Sequence, residues 1–280
     1  LAAYELAACE LAAFDLAAMK IATWNVNSVR KRTGNLVAWL ESARPDVVVL
    51  QEIKAQEAQF PRLEVEAAGY KVEIVGQKGF NGVALLSLHP VEITARALPD
   101  PAADEQARYI EGRIQTKDGP LTVGGLYLPN GNPIGTDKFA YKIAWMERLQ
   151  RRAKELLARE EMFVLGGDYN VCPTEADVYD PKAFANDALC QPQSRGALRS
   201  LLNLGLTDAI RVFDPEGVCY TFWDYQAGAW PKNWGLRIDH LLLSPQATDR
   251  LTAAGIDKIE RGKVEPSDHV PVWCELEVAA

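Results

Sequence analysis

A chain of 280 residues, 48% hydrophobic and 24% charged, carries enough apolar material for a sizeable buried core, and no apolar run approaches the ~18 residues a membrane-spanning helix needs. The net charge of −8 argues against a uniformly basic surface, so a nucleic-acid partner would have to meet a local basic face. The five cysteines (Cys9, Cys172, Cys190, Cys219 and Cys274) form no Cys-x-x-Cys and no Cys–His zinc spacing, which fits free structural thiols in a reducing cytoplasm.

Residues 1–20 read LAAYE LAACE LAAFD LAAMK, four copies of a five-residue unit. That period lets an apolar stripe drift around a helix, so residues 1–18 are expected to be an extension outside the folded core. Met19 then reads as the natural start of a single domain over 19–280. The N-terminus has no charged region leading into a continuous apolar stretch and does not resemble a secretory signal. Without Glu5, Glu10 and Asp15, 30 basic residues face 35 acidic ones, a net of −5.

Beyond Met19 the pattern is strand-rich with interspersed helices. Residues 20–26 form a short apolar strand, and 28–43 read as a helix with Leu36, Val37 and Leu40 on one face. The β-branched run 46–50 predicts a buried strand. Strands follow at 72–75, 82–88, 91–98, 109–116 and 121–128, with a turn at Asp118-Gly119. The longest helix is expected over 137–159, where Phe139, Ile143, Met146 and Leu149 recur at helical steps. A strand over 162–166 ends in a Gly-Gly turn, a helix covers 194–204 and stops at Gly205, and late strands occupy 237–243 and 270–276. Two packed sheets covered by helices are the natural architecture for this order. Arg30, Lys31 and Arg32, the helical set Lys138, Lys142, Arg148, Arg151 and Arg152, and the stretch 232–237 are the candidate basic faces.

Polar residues cluster where the apolar strands end, which is where α/β proteins gather their sites. Asn25 and Asn27 follow the first strand, and Glu52 follows the second. Tyr127 and Asn130 close 121–128, Asp168 and Asn170 follow a Gly-Gly pair, and Asp268-His269 precede the last strand. Two glycines before Asp168 indicate a close approach of the backbone to something. Asp239 lies inside an apolar run and, as a buried carboxylate, needs a partner. Singly, each has a plainer explanation as a cap, a turn or a surface charge. Jointly they supply what phosphodiester hydrolysis needs: hard oxygen ligands for Mg²⁺, a base for water, neutral groups to hold a phosphate, and a His set by a carboxylate.

Eight segments in order, MKIATWNVNSVRKR, VVVLQEIK, YLPNG, VLGGDYNVCPTE, GLTDAIR, YTFWDY, NWGLRIDHLL and PSDHVPVW, resemble the exonuclease III-type abasic-site endonucleases of the endonuclease/exonuclease/phosphatase superfamily, over nearly all of 19–280. The resemblance implies a four-layered α/β sandwich with two packed mixed sheets flanked by helices. It implies a monomeric DNA-repair phosphodiesterase that uses Mg²⁺, or Mn²⁺ in its place. The implied substrate is double-stranded DNA, cut 5′ to abasic sites and trimmed of nucleotides or blocking groups at 3′ ends. Residue by residue, Glu52 would be the principal metal ligand with Asn25 beside it, and Asp268 would lie near a second metal position. Asp168 would orient or deprotonate water, Asn170 would hold the phosphate, and Asp239 would bond His269, which meets the scissile phosphate. Tyr127 would contact the phosphate or aid the leaving oxygen, with Asn130 nearby. Trp223 and Leu236 would line the pocket for the base-less sugar, the adjacent Arg237 would bind substrate with them, and Arg30 and Lys138 would face the DNA backbone. The alternative is a phosphatase or phospholipase on the same scaffold, acting on inositol phosphates or sphingolipid. A non-catalytic binding domain is disfavoured because every expected catalytic residue type is present.

Overall fold

The computed structural model of the protein describes residues 16–99 and 104–279. Its strands, in chain order, are β1 (Leu16–Asn25), β2 (Val47–Gln51), β3 (Lys71–Val75), β4 (Val83–Ser87), β5 (Glu92–Ala95), β6 (Tyr109–Thr116), β7 (Gly119–Tyr127), β8 (Met162–Asp168), β9 (Thr207–Asp208), β10 (Asp239–Leu243), β11 (Leu251–Ile256) and β12 (Val272–Ala279). The helices are α1 (Thr33–Ala43), α2 (Arg62–Ala67), α3 (Asp137–Leu157), α4 (Pro192–Leu202), α5 (Ala209–Phe213) and α6 (Pro245–Thr248). Two six-stranded sheets result, ordered β11-β12-β1-β2-β4-β3 and β5-β6-β7-β8-β10-β9. Each is mixed in the same way: one parallel pair (β1 with β2, β7 with β8) sits among antiparallel neighbours.

Side-chain alternation turns these sheets into four layers. In β2, Val47 and Val49 enter the core between the sheets, while Val48 and Leu50 turn outward against Leu36, Trp39 and Leu40 of α1. In β8, Val164 joins the central core, while Phe163 and Leu165 pack on Trp145, Met146 and Leu149 of α3 and on Leu198 and Leu201 of α4. Strands buried on both faces read as unbroken apolar runs, which is how 46–50 looked in the sequence. Each such Val or Leu contributes roughly 1.5–3 kcal/mol by leaving water.

The expected two-sheet sandwich is therefore the observed one, and the differences are local. The helix expected from residue 28 begins at Thr33. Asn27 and Ser28 hold φ of 41° and 88°, and the N–H groups of Ser28 and Val29 bond Glu52 O (2.7 Å) and Ile53 O (3.1 Å) instead of starting a helix. The expected strand 91–98 shortens to β5, whose pairing with β6 is irregular between Ile93 and Ala95. The expected Gly-Gly turn after 162–166 is strand: β8 runs through Gly166 and Gly167 to Asp168. The glycines serve close approach, because a Cβ on Gly167 would stand 2.0 Å from Leu126 O, and one on Gly125 2.7 Å from Val49 in the facing sheet. Residues 1–15 of the expected N-terminal extension lie outside the described residues, whereas Leu16–Ala18 already pair with 277–279 in β1.

Topology alone delivers the site. Asn25 ends β1, Tyr127 and Asp168 end the parallel pair β7 and β8 opposite one another, and Asp239 opens β10 opposite Asp168. His269 stands three residues before β12, which runs antiparallel to β1. One edge shared by both sheets therefore carries all of them.

Candidate active site

A network of short polar contacts joins these strand ends. The Asn25 amide Nδ2 donates to Glu52 Oε1 and to Asp168 Oδ2, both at 3.0 Å, and so bridges the two sheets. Its Oδ1 accepts the N–H of Asn27 at 3.0 Å. Glu52 sits at φ 48°, a left-handed conformation costing on the order of 1–3 kcal/mol for a non-glycine residue. Lys54 and Ile53 hold it there by donating to Asn81 O (3.0 Å) and Gly82 O (3.2 Å). Tyr127 donates its phenol to Glu52 Oε1 at 2.8 Å. Lys54 Nζ lies 2.7 Å from Glu52 Oε2 and 2.5 Å from Asn27 Oδ1. Asn27 Nδ2 in turn donates to Asp268 Oδ1 at 3.0 Å, which ties Asp268 to the Glu52 side of the site.

The second half surrounds His269. Its Nδ1 bonds Asp239 Oδ2 at 2.8 Å, and Asp239 Oδ2 also accepts the Thr221 hydroxyl at 2.6 Å. Its Nε2 faces Asp168 Oδ2 at 3.8 Å. Ser267 fixes the turn by donating to Asn25 O (2.7 Å), while Trp24 Nε1 donates to His269 O (3.1 Å). Asp168 Oδ1 accepts the Asn170 N–H at 2.8 Å, and Asn170 adopts φ 48°. Asn130 Nδ2 donates to Asn170 Oδ1 (3.1 Å), and Asn170 Nδ2 donates to Leu128 O (2.9 Å).

Burial sets the charge states. Desolvation would lower the His269 imidazole, but Asp239, Asp168 and Asp268 outweigh it and push its pKa up to about 10. It is therefore an imidazolium near neutral pH, a cationic donor rather than a base. Burial raises Asp168 above the usual carboxylate range, with Asp239 adding repulsion and His269 opposing it. Glu52 goes the other way: burial would raise it, yet Lys54 and the Asn25 amide hold it below its ordinary value. Tyr127 is driven well above the ordinary phenol range by burial and by the charges of Glu52 and Asp168, so it stays protonated.

The donor set suits a hard divalent cation. Ligand atoms of Asp168, Asp239 and His269 lie within 4.8 Å of one another, although Asp239 and His269 spend facing atoms on each other. Glu52, with Asn25 and Asp268 near it, offers oxygen ligands on the other side of the Asn25 bridge.

Beside His269 opens a cavity of about 410 Å³ lined by Phe222, Leu236, Leu189, Tyr179, Trp234 and Asn130, among others. Of the two residues expected to line a pocket, Leu236 is on the wall of this cavity. Trp223 is not: it has no exposed surface and packs with Tyr220 and Val270, its Nε1 bonded to Asn233 Oδ1 at 3.2 Å. Residue alternation explains the correction, since Thr221 and Trp223 face inward while Phe222 faces the cavity and meets the His269 ring edge-on at 4.9 Å. Arg237 is also corrected. It is buried and paired with Asp177 and Asp208 (both 2.6 Å), so it braces the scaffold rather than meeting substrate from the His269 cavity. Lys142, Arg148 and Arg152 likewise leave the expected basic face: Lys142 is buried, Arg148 pairs with Asp104 (2.8 Å) and Arg152 with Glu111 (2.7 Å). Arg30, in the turn between β1 and α1, and Lys138, in the first turn of α3, are exposed. Sequence reading missed Lys54, Thr221 and Phe222 as site residues. All three lie inside the motifs VVVLQEIK and YTFWDY, but nothing in one sequence says which face they turn.

A two-sheet sandwich that gathers carboxylates, amides and a carboxylate-held imidazolium at one shared strand edge defines a phosphate-ester hydrolase. The chain belongs to the Endonuclease/Exonuclease/phosphatase family, whose sequence profile matches residues 22–269. It is 33% identical over 262 residues to the exodeoxyribonuclease III of Haemophilus influenzae, covering 91% of this chain and 98% of that protein. Its fold matches an AP endonuclease from Archaeoglobus fulgidus with a TM-score of 0.87 at 34% identity, over 92% of this chain and 99% of the other. It also matches a 3′ phosphatase from Neisseria bound to product DNA hairpin, with a TM-score of 0.85 at 36% identity, over 92% and 99% of the two chains. Among the described residues no helix is long and apolar enough to cross a membrane.

Proposed function

We propose that this protein is a metal-dependent DNA-repair nuclease that hydrolyses the phosphodiester bond 5′ to abasic sites in duplex DNA and removes nucleotides or blocking groups, including phosphate, from 3′ ends. One observation carries the reading: Asn25, Glu52, Tyr127, Asp168, Asn170, Asp239 and His269 meet in a single hydrogen-bonded site beside an apolar cavity. The relatives named for exodeoxyribonuclease III, AP endonuclease and 3′ phosphatase activity support the substrate class.

Mg²⁺, with Mn²⁺ as a substitute, would be held by Glu52 with Asn25 and Asp268 nearby, and would supply positive charge to the phosphoryl and leaving oxygens. The protein's own groups do the rest. Asp168, oriented by the Asn25 amide and the Asn170 N–H, accepts the proton of the attacking water. Its raised pKa makes it a better base than an ordinary carboxylate. His269 presents Nε2–H to a phosphate oxygen, while Asp239 fixes the proton on Nδ1 and keeps the ring cationic. Asn170 has a second Nδ2–H free of the Leu128 bond to hold the phosphate, with Asn130 bracing it. Tyr127, kept neutral, donates to the phosphate or the departing oxygen. Phe222 and Leu236 form an apolar wall that accepts a sugar without its base. Arg30 and Lys138 face the flanking backbone. The protein acts as a monomer, and the free thiols of Cys172, Cys190, Cys219 and Cys274 suit the cytoplasm.

The test is incubation with a duplex carrying one abasic site, with Mg²⁺ and then with excess EDTA. Incision that depends on the metal supports the reading. An intact duplex beside phosphate release from inositol phosphates would favour the other branch of the family.

A further inference from the structure

Lys142 is the least expected residue near the site. It lies in α3 with no exposed surface. Its ammonium donates to Pro129 O (3.2 Å), Asn130 O (3.1 Å) and Asn170 O (2.6 Å). All three acceptors are main-chain carbonyls, not carboxylates. A buried cation with no ion-pair partner among the described residues is costly, and an apolar side chain of the same length would fill this space more cheaply. Burial indeed pulls its pKa down to about 7, against the pull of Asp168 and Asp187. The loop has closed tightly around it: Gly131 sits at φ 88°, and a Cβ there would stand 2.6 Å from Lys142 Cδ.

The three carbonyls belong to the two loops that leave the parallel pair β7 and β8. One follows Tyr127 and carries Asn130; the other follows Asp168 and carries Asn170. Resting on the nuclease reading above, we infer that Lys142 is a positioning residue, whose ammonium clamps these loops so that the Asn130–Asn170 amide pair and the Asp168 carboxylate keep the geometry that the phosphate requires. It touches neither substrate nor metal. Its cost to the fold is retained because it serves the reaction.

The test compares the full chain with Lys142→Met and Lys142→Arg on the abasic duplex, recording kcat, KM and Tm. For Lys142→Met the expected result is a kcat lower by about 100-fold, the scale of a small misplacement of reacting groups, with KM little changed and Tm equal or higher. Lys142→Arg, which keeps a buried donor cation, should recover at least a tenfold part of that loss. A Lys142→Met enzyme within threefold of the parent in kcat overturns the inference, as does a kcat loss that merely follows a fall in Tm. Amide hydrogen exchange keeps the inference testable even if the parent cuts no DNA, a result that would sink the nuclease reading instead. Exchange at 130–132 and 170–172 should quicken in Lys142→Met while β2 and β8 stay unchanged, and unaltered exchange in those loops overturns the clamp.

Discussion

Replacing Asp239 by Asn isolates the charge that makes His269 cationic. The amide is nearly isosteric with the carboxylate, and its oxygen can still accept Nδ1–H across the 2.8 Å gap. Only the charge is lost. In the parent, that charge leads the interactions lifting His269 from 6.5 to about 10, with Asp168 and Asp268 contributing less. The net shift, after the opposing cost of burial, corresponds to about 5 kcal/mol of differential stabilisation of the imidazolium. Burial pushes the imidazole the other way while Asp168 and Asp268 still raise it, so the variant ring should titrate well below the parent ring. Above the variant's own pKa the protonated fraction falls about tenfold per pH unit. Single-turnover incision should thus stay flat in the parent up to about pH 9, but begin its roughly tenfold-per-unit alkaline fall at a lower pH in Asp239→Asn. Both enzymes keep the acidic limb set by Asp168. Coincident alkaline limbs in the two enzymes would refute the assignment of His269 as a charged phosphate ligand.

Further outcomes follow from the same structure. Asp168→Ala, Glu52→Ala and His269→Ala should each lower incision by about 10²–10⁴-fold, and a variant that keeps parental rates removes its residue from the site. Glu52→Gln should shift the Mg²⁺ concentration for half-maximal activity upward, and calorimetry should show weaker Mg²⁺ binding without DNA; an unchanged isotherm places the metal elsewhere. Arg237→Met takes the guanidinium from the buried carboxylates Asp208 and Asp177, which it holds below their usual range, and although Asp177 keeps Arg211 (2.6 Å) the loss should cost about 3–5 kcal/mol in urea unfolding with the active-site chemistry intact. Because those carboxylates are depressed in the folded state, their contribution is present above the ordinary Asp value near pH 4 and is lost as pH falls below it. The gap between parent and Arg237→Met should accordingly narrow in acid, and a gap that is constant from pH 7 to pH 3 would contradict the ion-pair account.

The sheets were legible because their strands are. An unbroken run such as Val47–Leu50 admits few readings, and most polar residues named as site members sit directly at the ends of such runs. What one sequence withholds is the direction of a side chain in irregular chain. YTFWDY sets Phe222 beside Trp223 as rivals for one cavity, and only the β-bridges of Phe222 with Leu236 and His269 decide that it, not Trp223, faces the opening. Charge is equally silent about burial. Lys142, Arg152 and Arg237 look like surface cations until their partners (three carbonyls, Glu111, and Asp177 with Asp208) arrive from distant parts of the chain. Short elements such as β9 and α5 carry too few residues to show a period, and they form because β10 and its neighbours stand ready to receive them.

The central claim, that this site delivers water to a phosphorus atom in DNA, is tested most directly by incising an abasic duplex in ¹⁸O-enriched water with Mg²⁺. Direct hydrolysis predicts a 3′-hydroxyl on one fragment and one ¹⁸O in the 5′-phosphate left on the base-less sugar, measured by mass spectrometry. A 5′-phosphate without label, or a 3′ end that carries an unsaturated aldehyde, would mean that the strand broke by elimination and that Asp168 does not activate water.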